Sequence, residues 1–166
     1  MSIRRNSILP AHGFTLLEVM VALVIFSIGL LGLAGLQARG LQSNASAYYR
    51  SLATIQAYDM ADRIRSNPEG VSNGNYDNLT AIIPPTADCI TNTCDAATLA
   101  RFDHYEWNSE NARQLPSGRG TVQLVPLTSQ YAITVMWDED RTGVVGTNCS
   151  GDPTVDLKCF RLVIDP

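Results

Sequence analysis

A long apolar run near the start of the chain is its dominant pattern. It extends from Phe14 to Leu36 and contains one charged residue, Glu18. As a helix rising about 1.5 Å per residue, the run spans roughly 35 Å, which is enough to cross a bilayer core of about 30 Å. The uncharged part continues to Arg39, well beyond the roughly 7 to 15 apolar residues of a secretory signal. The pattern therefore predicts a membrane-spanning helix.

The helical pattern continues beyond the apolar run. Between Gln37 and Arg65 there is no proline, and apolar residues recur at steps of three and four. This spacing predicts two adjoining stripes that face a globular core: Leu41, Ala45, Tyr48, Leu52 and Ile55 on one, and Tyr49, Ala53, Met60 and Ile64 on the other. Because Asn67 to Gly70 read Asn-Pro-Glu-Gly, a helix stop, we predict one helix from Phe14 to about Ser66.

The rest of the chain predicts a loop, a second helix and three strands. Residues 71–95 are rich in Asn, Thr, Gly and Pro without periodicity, which indicates a long surface loop. Residues 96–115 predict a helix with apolar contacts at Leu99, Phe102, Tyr105 and Trp107. Alternating apolar residues predict strands at 121–125, 131–137 and 158–164. The predicted fold class is α+β, with a long N-terminal helix packed on a small antiparallel sheet.

The charged residues predict the orientation of the membrane span and argue against nucleic acid as a partner. Arg4 and Arg5 precede the span and are expected to stay in the cytoplasm, so the residues after Arg39 lie on the outer side of the membrane. The formal net charge is −4, and it becomes −6 when the two leader arginines are removed. The exported part of the chain therefore lacks the excess of basic residues that would bind the phosphates of nucleic acid.

Four cysteines agree with an oxidising compartment outside the cytoplasm. We favour two disulfides, Cys89 with Cys94 and Cys149 with Cys159, because the cysteines of each pair are close enough in sequence to close a short local loop. A tetrahedral zinc site is the alternative, although structural zinc usually takes two closely spaced cysteine pairs and the second pair here is wider.

Glu18 is the candidate functional residue of the apolar run. An intramembrane acid is costly and is usually kept for a specific partner. If the chain is cut after Gly13, the new α-amino group of Phe14 lies one helical turn from Glu18. A neighbouring helix with a small axial stagger would bring its own amine to the same carboxylate. The pattern indicates a membrane anchor that also directs assembly.

These residues resemble the prepilins, the class of type IV pilins and of the pseudopilins of type II secretion. The resemblance rests on a short basic leader that ends in Gly13, followed by Phe14, an acid at Glu18 and an unbroken apolar helix. It implies cleavage between Gly13 and Phe14 by the prepilin peptidase and N-methylation of Phe14. The implied organisation is a cleaved leader (1–13), a transmembrane and assembly helix (14–38) and a periplasmic pilin-like domain (39–166).

The C-terminal part resembles the PilV-type minor pilins, through Leu115-Pro116-Ser117-Gly118 before a strand and the run from Tyr131 to Trp137. This resemblance implies a minor pilin that forms, with other minor pilins and a PilY-type adhesin, a complex that primes assembly and caps the fibre tip. It further implies contact with the major pilin and the inner-membrane assembly platform, adhesion and twitching motility. Such a subunit passes from the inner membrane to the extracellular tip. Pseudopilins of the I type share the N-terminal block, so a role in type II secretion is the alternative.

Catalysis finds no support in the sequence. We expect His104 to be a solvated helix residue, and no serine lies in a Gly-x-Ser-x-Gly elbow. We therefore predict a non-enzymatic protein without a cofactor or metal; a membrane-tethered periplasmic enzyme is the hypothesis from another class. Asp138, Glu139 and Asp140 could hold calcium, but a solvated turn is the favoured interpretation.

Overall fold

The structure is a computed structural model that describes residues 13–86 and 88–166. The predicted leader therefore lies outside the described residues except for Gly13. The chain divides into two compact units, Met1–Ser43 and Asn44–Pro166, which are described separately.

Helix α1 (Leu16–Ser66) begins two residues later than predicted and ends at the predicted residue. Asn67 ends it: its backbone N–H donates to the Ile64 carbonyl at 3.2 Å, while its side chain accepts from the Gly70 N–H at 3.0 Å. This side chain caps a short helix, α2 (Pro68–Ser72), whose first residue is the proline. The predicted stop is therefore also the start of a second helix, which the sequence analysis had assigned to a loop from Val71 onward.

Small residues form the buried face of α1 in the Asn44–Pro166 unit. Ala53, Ala57 and Ala61 are fully buried together with Met60 and Ile64. One of the two predicted core stripes is wrong for three of its large residues, which are exposed: Leu41 by 72%, Tyr48 by 60% and Ile55 by 61%. Leu52 of the same stripe is partly buried and packs against the core, as predicted. The three alanines let α1 approach the rest of the core closely, and Tyr48 and Ile55 lie on the exposed side of the helix.

Four antiparallel strands form one sheet in the order β1-β2-β3-β4: β1 (Asn78–Leu79), β2 (Arg119–Leu124), β3 (Tyr131–Trp137) and β4 (Lys158–Ile164). The bounds of β3 and β4 are as predicted, β2 begins two residues earlier, and β1 was not predicted. One face of the sheet packs on α1 and α3 (Ala96–Gln114) through Val122, Ile133 and Val135. The fold is thus α+β, a long N-terminal helix on a small antiparallel sheet, as in type IV pilins.

Polar side chains form much of the inward face of α3. Asp95 caps the helix by accepting from the Thr98 N–H at 2.7 Å. The expectation that His104 is solvated is wrong, because its residue is only 7% exposed and its Nε2 lies 2.8 Å from the Thr80 carbonyl oxygen. The fully buried Asn108 donates to the Gly120 carbonyl and accepts from the Gly120 N–H at 2.6 Å. This amide supplies hydrogen bonds to β2 beyond the end of the short β1.

Candidate processing and assembly site

The structure places Gly13, Phe14 and Glu18 at the N-terminal end of α1. Thr15 precedes the helix, and its hydroxyl oxygen accepts from the Glu18 backbone N–H at 3.2 Å. Its carbonyl accepts from the Val19 N–H at 3.3 Å. Thr15 is therefore the N-cap and Glu18 the third helical residue, the spacing of a capping box.

Sequence reasoning missed the role of Thr15, although its signal was present as Thr-x-x-Glu at the start of an apolar run. The cap fixes where α1 begins, and it sets Glu18 in the first helical turn. A carboxylate in this turn is favoured by the free N–H groups and the positive end of the helix dipole. The site can thus hold a negative charge close to the residue that would become the new terminus.

Gly13 and Phe14 are both open to approach. The Phe14 side chain is 84% exposed, and a Cβ added to Gly13 would meet no atom within 4 Å. Phe14, Glu18, Ala22 and Phe26 lie along one shallow, mostly apolar depression on α1. Nothing in this part of the structure blocks access of an enzyme to the Gly13–Phe14 peptide bond.

Every described residue of the Met1–Ser43 unit is exposed. An 18-residue window within α1 has a mean hydropathy of 2.6, and none of it is buried. By length and composition, α1 is able to cross a membrane. An apolar surface of this extent is stable only in lipid or against other apolar helices.

The cysteines lie elsewhere, in two loops of the Asn44–Pro166 unit. Disulfides join Cys89 to Cys94, with Cα atoms 5.5 Å apart, and Cys149 to Cys159, with Cα atoms 5.7 Å apart. This is the pairing favoured from the sequence, in place of the zinc alternative. The second disulfide ties the loop after β3 to the second residue of β4.

The acidic residues after β3 are engaged with protein groups. Asp138 is 4% exposed, and its carboxylate accepts from the Thr142 N–H at 3.1 Å and the Gly143 N–H at 2.7 Å. Glu139 pairs with Lys158 at 3.3 Å. The favoured interpretation of a fully solvated turn was therefore wrong for Asp138. Residues 13–86 and 88–166 contain no group of His, Cys, Asp and Glu side chains arranged to hold a metal ion.

A buried polar cluster joins α1, α3 and the segment after α2. The Tyr76 hydroxyl donates to Asp103 Oδ2 at 2.6 Å, Arg63 Nη1 donates to Asp103 Oδ1 at 3.3 Å, and Asn67 Nδ2 donates to the Tyr76 oxygen at 3.1 Å. Burial raises the pKa of Asp103, while the Tyr76 hydrogen bond and Arg63 act against this rise. Burial, followed by the bond to Asp103, also raises the pKa of Tyr76. The internal bonds of this cluster indicate a structural role.

Comparison with known families gives two adjoining matches in the N-terminal part of the chain. Residues 10–34 match a family described as the prokaryotic N-terminal methylation motif, and residues 35–105 match one described as type IV pilin Tt1218. Neither the curated proteins nor the solved structures give a match to the chain. The matches end within α3, before the residues 115–118 and 131–137 that resemble PilV-type subunits. Residues 10–34 thus carry the N-terminal methylation motif of prepilins, and residues 35–105 match a type IV pilin domain, whose family is structural.

Proposed function

We propose that the chain is a minor pilin of the PilV type, a low-abundance subunit of a type IV pilus. The observation that carries the proposal is the start of α1, where one carboxylate lies in the first turn of the exposed apolar segment 16–38. The pilin domain supports the subunit role, and the resemblance at residues 115–118 and 131–137 supports the assignment to minor pilins.

Processing by prepilin peptidase would create the functional terminus. Hydrolysis of the Gly13–Phe14 bond releases the leader 1–13 and leaves the α-amino group on Phe14, which is then N-methylated. A residue larger than Gly13 would reach into the space beside the scissile bond that is open here. Residues 14–38 would then remain as the membrane span, with residues 39–166 on the periplasmic side.

Glu18 would accept the amine of a neighbouring subunit during assembly. Among residues 13–86 and 88–166, no hydrogen bond or ion pair engages the Glu18 carboxylate, so it is available for an ionic partner. Opposite charges attract more strongly in a low-dielectric helix bundle than in water. An amine–carboxylate pair would therefore fix the axial register of two packed α1 helices.

The proposed subunit acts with other minor pilins and a PilY-type adhesin to prime the pilus and cap its tip, in contact with the major pilin and the assembly platform. It starts in the inner membrane and ends at the extracellular tip, where it supports adhesion and twitching motility. The second candidate is a minor pseudopilin of the I type, which the N-terminal motif supports equally because both classes share it.

The test is the variant Glu18→Ala in the full chain. We expect the variant to be inserted and cleaved normally but depleted from sheared fibres, because the partner of the neighbour's amine is lost. Glu18→Asp keeps the charge and Leu17→Ala changes an adjacent exposed residue, so both should enter fibres better than Glu18→Ala. Normal incorporation of Glu18→Ala would refute the intersubunit role.

The same cells distinguish the two candidate systems. A minor pilin should be recovered from sheared surface fibres, and its deletion should reduce fibre number. A pseudopilin should be absent from surface fibres, and its deletion should stop release of secreted proteins while fibres persist.

A further inference from the structure

Strand β4 leaves one edge of the sheet open. It is the outermost strand, and all seven of its residues pair in register with β3, from Lys158 with Trp137 to Ile164 with Tyr131. In an antiparallel pair, alternate residues exchange hydrogen bonds with the partner strand. The other residues of β4 direct their N–H and C=O groups to the open side, where no backbone of residues 13–86 or 88–166 accepts or donates to them.

The chain already uses this edge just before β4. Gly146 forms a parallel bridge with Asp156, and the Gly146 carbonyl accepts from the Leu157 N–H at 2.9 Å. This contact ends one residue before β4 begins. The Cys149–Cys159 disulfide also attaches this loop to the second residue of β4. The edge is thus able to take an extended backbone, and from Phe160 to Ile164 no backbone hydrogen bond among the described residues occupies it.

Strand β4 has one kind of feature that usually protects an edge strand, the charged side chains of Lys158 and Arg161. It lacks the others, because it contains no proline, its pairing with β3 is unbroken by a bulge, and it is not short. Two of its core-side residues, Phe160 and Leu162, are only partly buried, and Val163 on the other side is 49% exposed. An added strand would cover this remaining apolar surface.

Arg161 determines which kind of strand could be added at the edge of β4. It lies at the centre of β4, on the side of the sheet away from the core, and is paired with Thr134 of β3. Among the described residues, none forms an ion pair or hydrogen bond with its guanidinium. The register with the fullest overlap of two β4 strands would set Arg161 against Arg161, and like charges directly opposite are destabilising. A second copy of this chain is therefore a poor occupant.

We propose that the open edge of β4 is a strand-addition site for an extended segment of a different polypeptide, with an acidic residue opposite Arg161 and apolar residues opposite Phe160 and Leu162. Main-chain hydrogen bonds would supply affinity, and the acidic residue between two apolar ones would supply specificity. This inference does not depend on the proposed function.

The experiment measures binding of a labelled, end-blocked peptide to the full chain in detergent micelles, with empty micelles as the blank. The probe is Val-Thr-Val-Glu-Val-Thr-Val, whose symmetry matches either strand direction. We expect saturable binding with a dissociation constant below about 1 mM, and binding weaker by about tenfold when lysine replaces the glutamate.

Charge exchange provides the matched control. Arg161→Glu changes an exposed side chain, so the melting temperature should be retained while the preference between the two peptides reverses. Two further peptides carry N-methyl groups on alternate amides, one on the odd-numbered residues and one on the even-numbered residues. One of them should lose binding and the other should keep it, because only one set of N–H groups faces β4. Attachment to the flat face of the sheet would lack this alternation.

Three results would overturn the proposal. One is no saturable binding of either peptide by the folded chain. Another is binding that is equally strong whether residue 161 is positive or negative, or whichever set of peptide amides is N-methylated. The third is concentration-dependent self-association that the neutral variant Arg161→Thr strengthens, because removing the like-charge pair at residue 161 would then favour the joining of two β4 strands.

Discussion

Replacing Gly120 with alanine should destabilise the domain by forcing Trp107 out of its position. Trp107 is fully buried, and its Nε1 donates to the Gln56 carbonyl of α1 at 2.8 Å. A Cβ on Gly120 would lie 2.2 Å from Cη2 and 2.6 Å from Cζ3 of this ring. Both atoms belong to the rigid indole, so the ring or the strand must move. Gly120 thus allows α3 to pack between β2 and α1.

The magnitude follows from two costs and one gain. Overpacking a core costs about 1 to 3 kcal/mol, and a buried indole N–H left without its acceptor costs about 1 to 3 kcal/mol. Alanine in a strand recovers about 0.5 to 1 kcal/mol of chain entropy. The net loss is then about 1 to 5 kcal/mol, or roughly 4 to 20 °C in melting temperature at about 4 °C per kcal/mol for a domain of this size.

The assay is thermal unfolding of the full chain in detergent, followed by near-ultraviolet circular dichroism. Gln123→Ala, at an exposed position of the same strand, should melt within about 2 °C of the parent, since surface changes cost within about 0.5 kcal/mol. In the double variant, Trp107→Phe should recover part of the loss caused by Gly120→Ala. A Gly120→Ala protein that melts like the parent would refute the packing argument.

Two further predictions concern the disulfides and His104. Alkylation of freshly isolated protein without reductant should label none of the four cysteines, and opening either short loop should cost about 2 to 3 kcal/mol in the chain-entropy model; full labelling would contradict both bonds. Burial lowers the pKa of His104 in the folded state, so its contribution to stability is complete above about pH 6.5 and is lost as the pH falls through the lowered pKa. The melting temperature of the parent should therefore fall more between pH 7.5 and 5 than that of His104→Gln, and equal pH profiles would show that His104 does not carry the effect.

Apolar periodicity predicted the elements with large, regularly spaced side chains. The alternation of Tyr131, Ile133, Val135 and Trp137 fixed β3, and the helix stop after Ser66 ended α1. It failed where small residues do the packing: Ala57 and Ala61 carry little apolar signal and were not predicted, whereas the exposed Tyr48 and Ile55 were predicted to face the core. Strand β1 has two residues, too few to show any period.

The inward face of α3 was hidden for a different reason. Asp103, His104, Asn108 and Asn111 are buried on one helical face with Trp107. Of these polar residues, only His104 was considered from the sequence, and it was predicted to be solvated. The structure buries them because several satisfy polar groups of other segments, such as the Thr80 carbonyl and the Gly120 backbone. Such partners are distant in sequence, so no local pattern reveals them.

At the N-terminal end, the motif at Gly13, Phe14 and Glu18 was readable from the sequence because it depends on local spacing along one helix. The cap by Thr15 was equally local and could have been found. A binding site at the edge of β4 could not have been predicted from the sequence, because the open edge becomes apparent only once the order of the strands is known.

The most direct test of the prepilin account is mass spectrometry of the mature N-terminus, on chain isolated from cells with an active prepilin peptidase. We predict a terminal peptide that begins at Phe14 and carries one added methyl group. The variant Gly13→Lys should retain the leader. A parent protein that keeps Met1 to Gly13, or that begins near Arg39, would contradict the account.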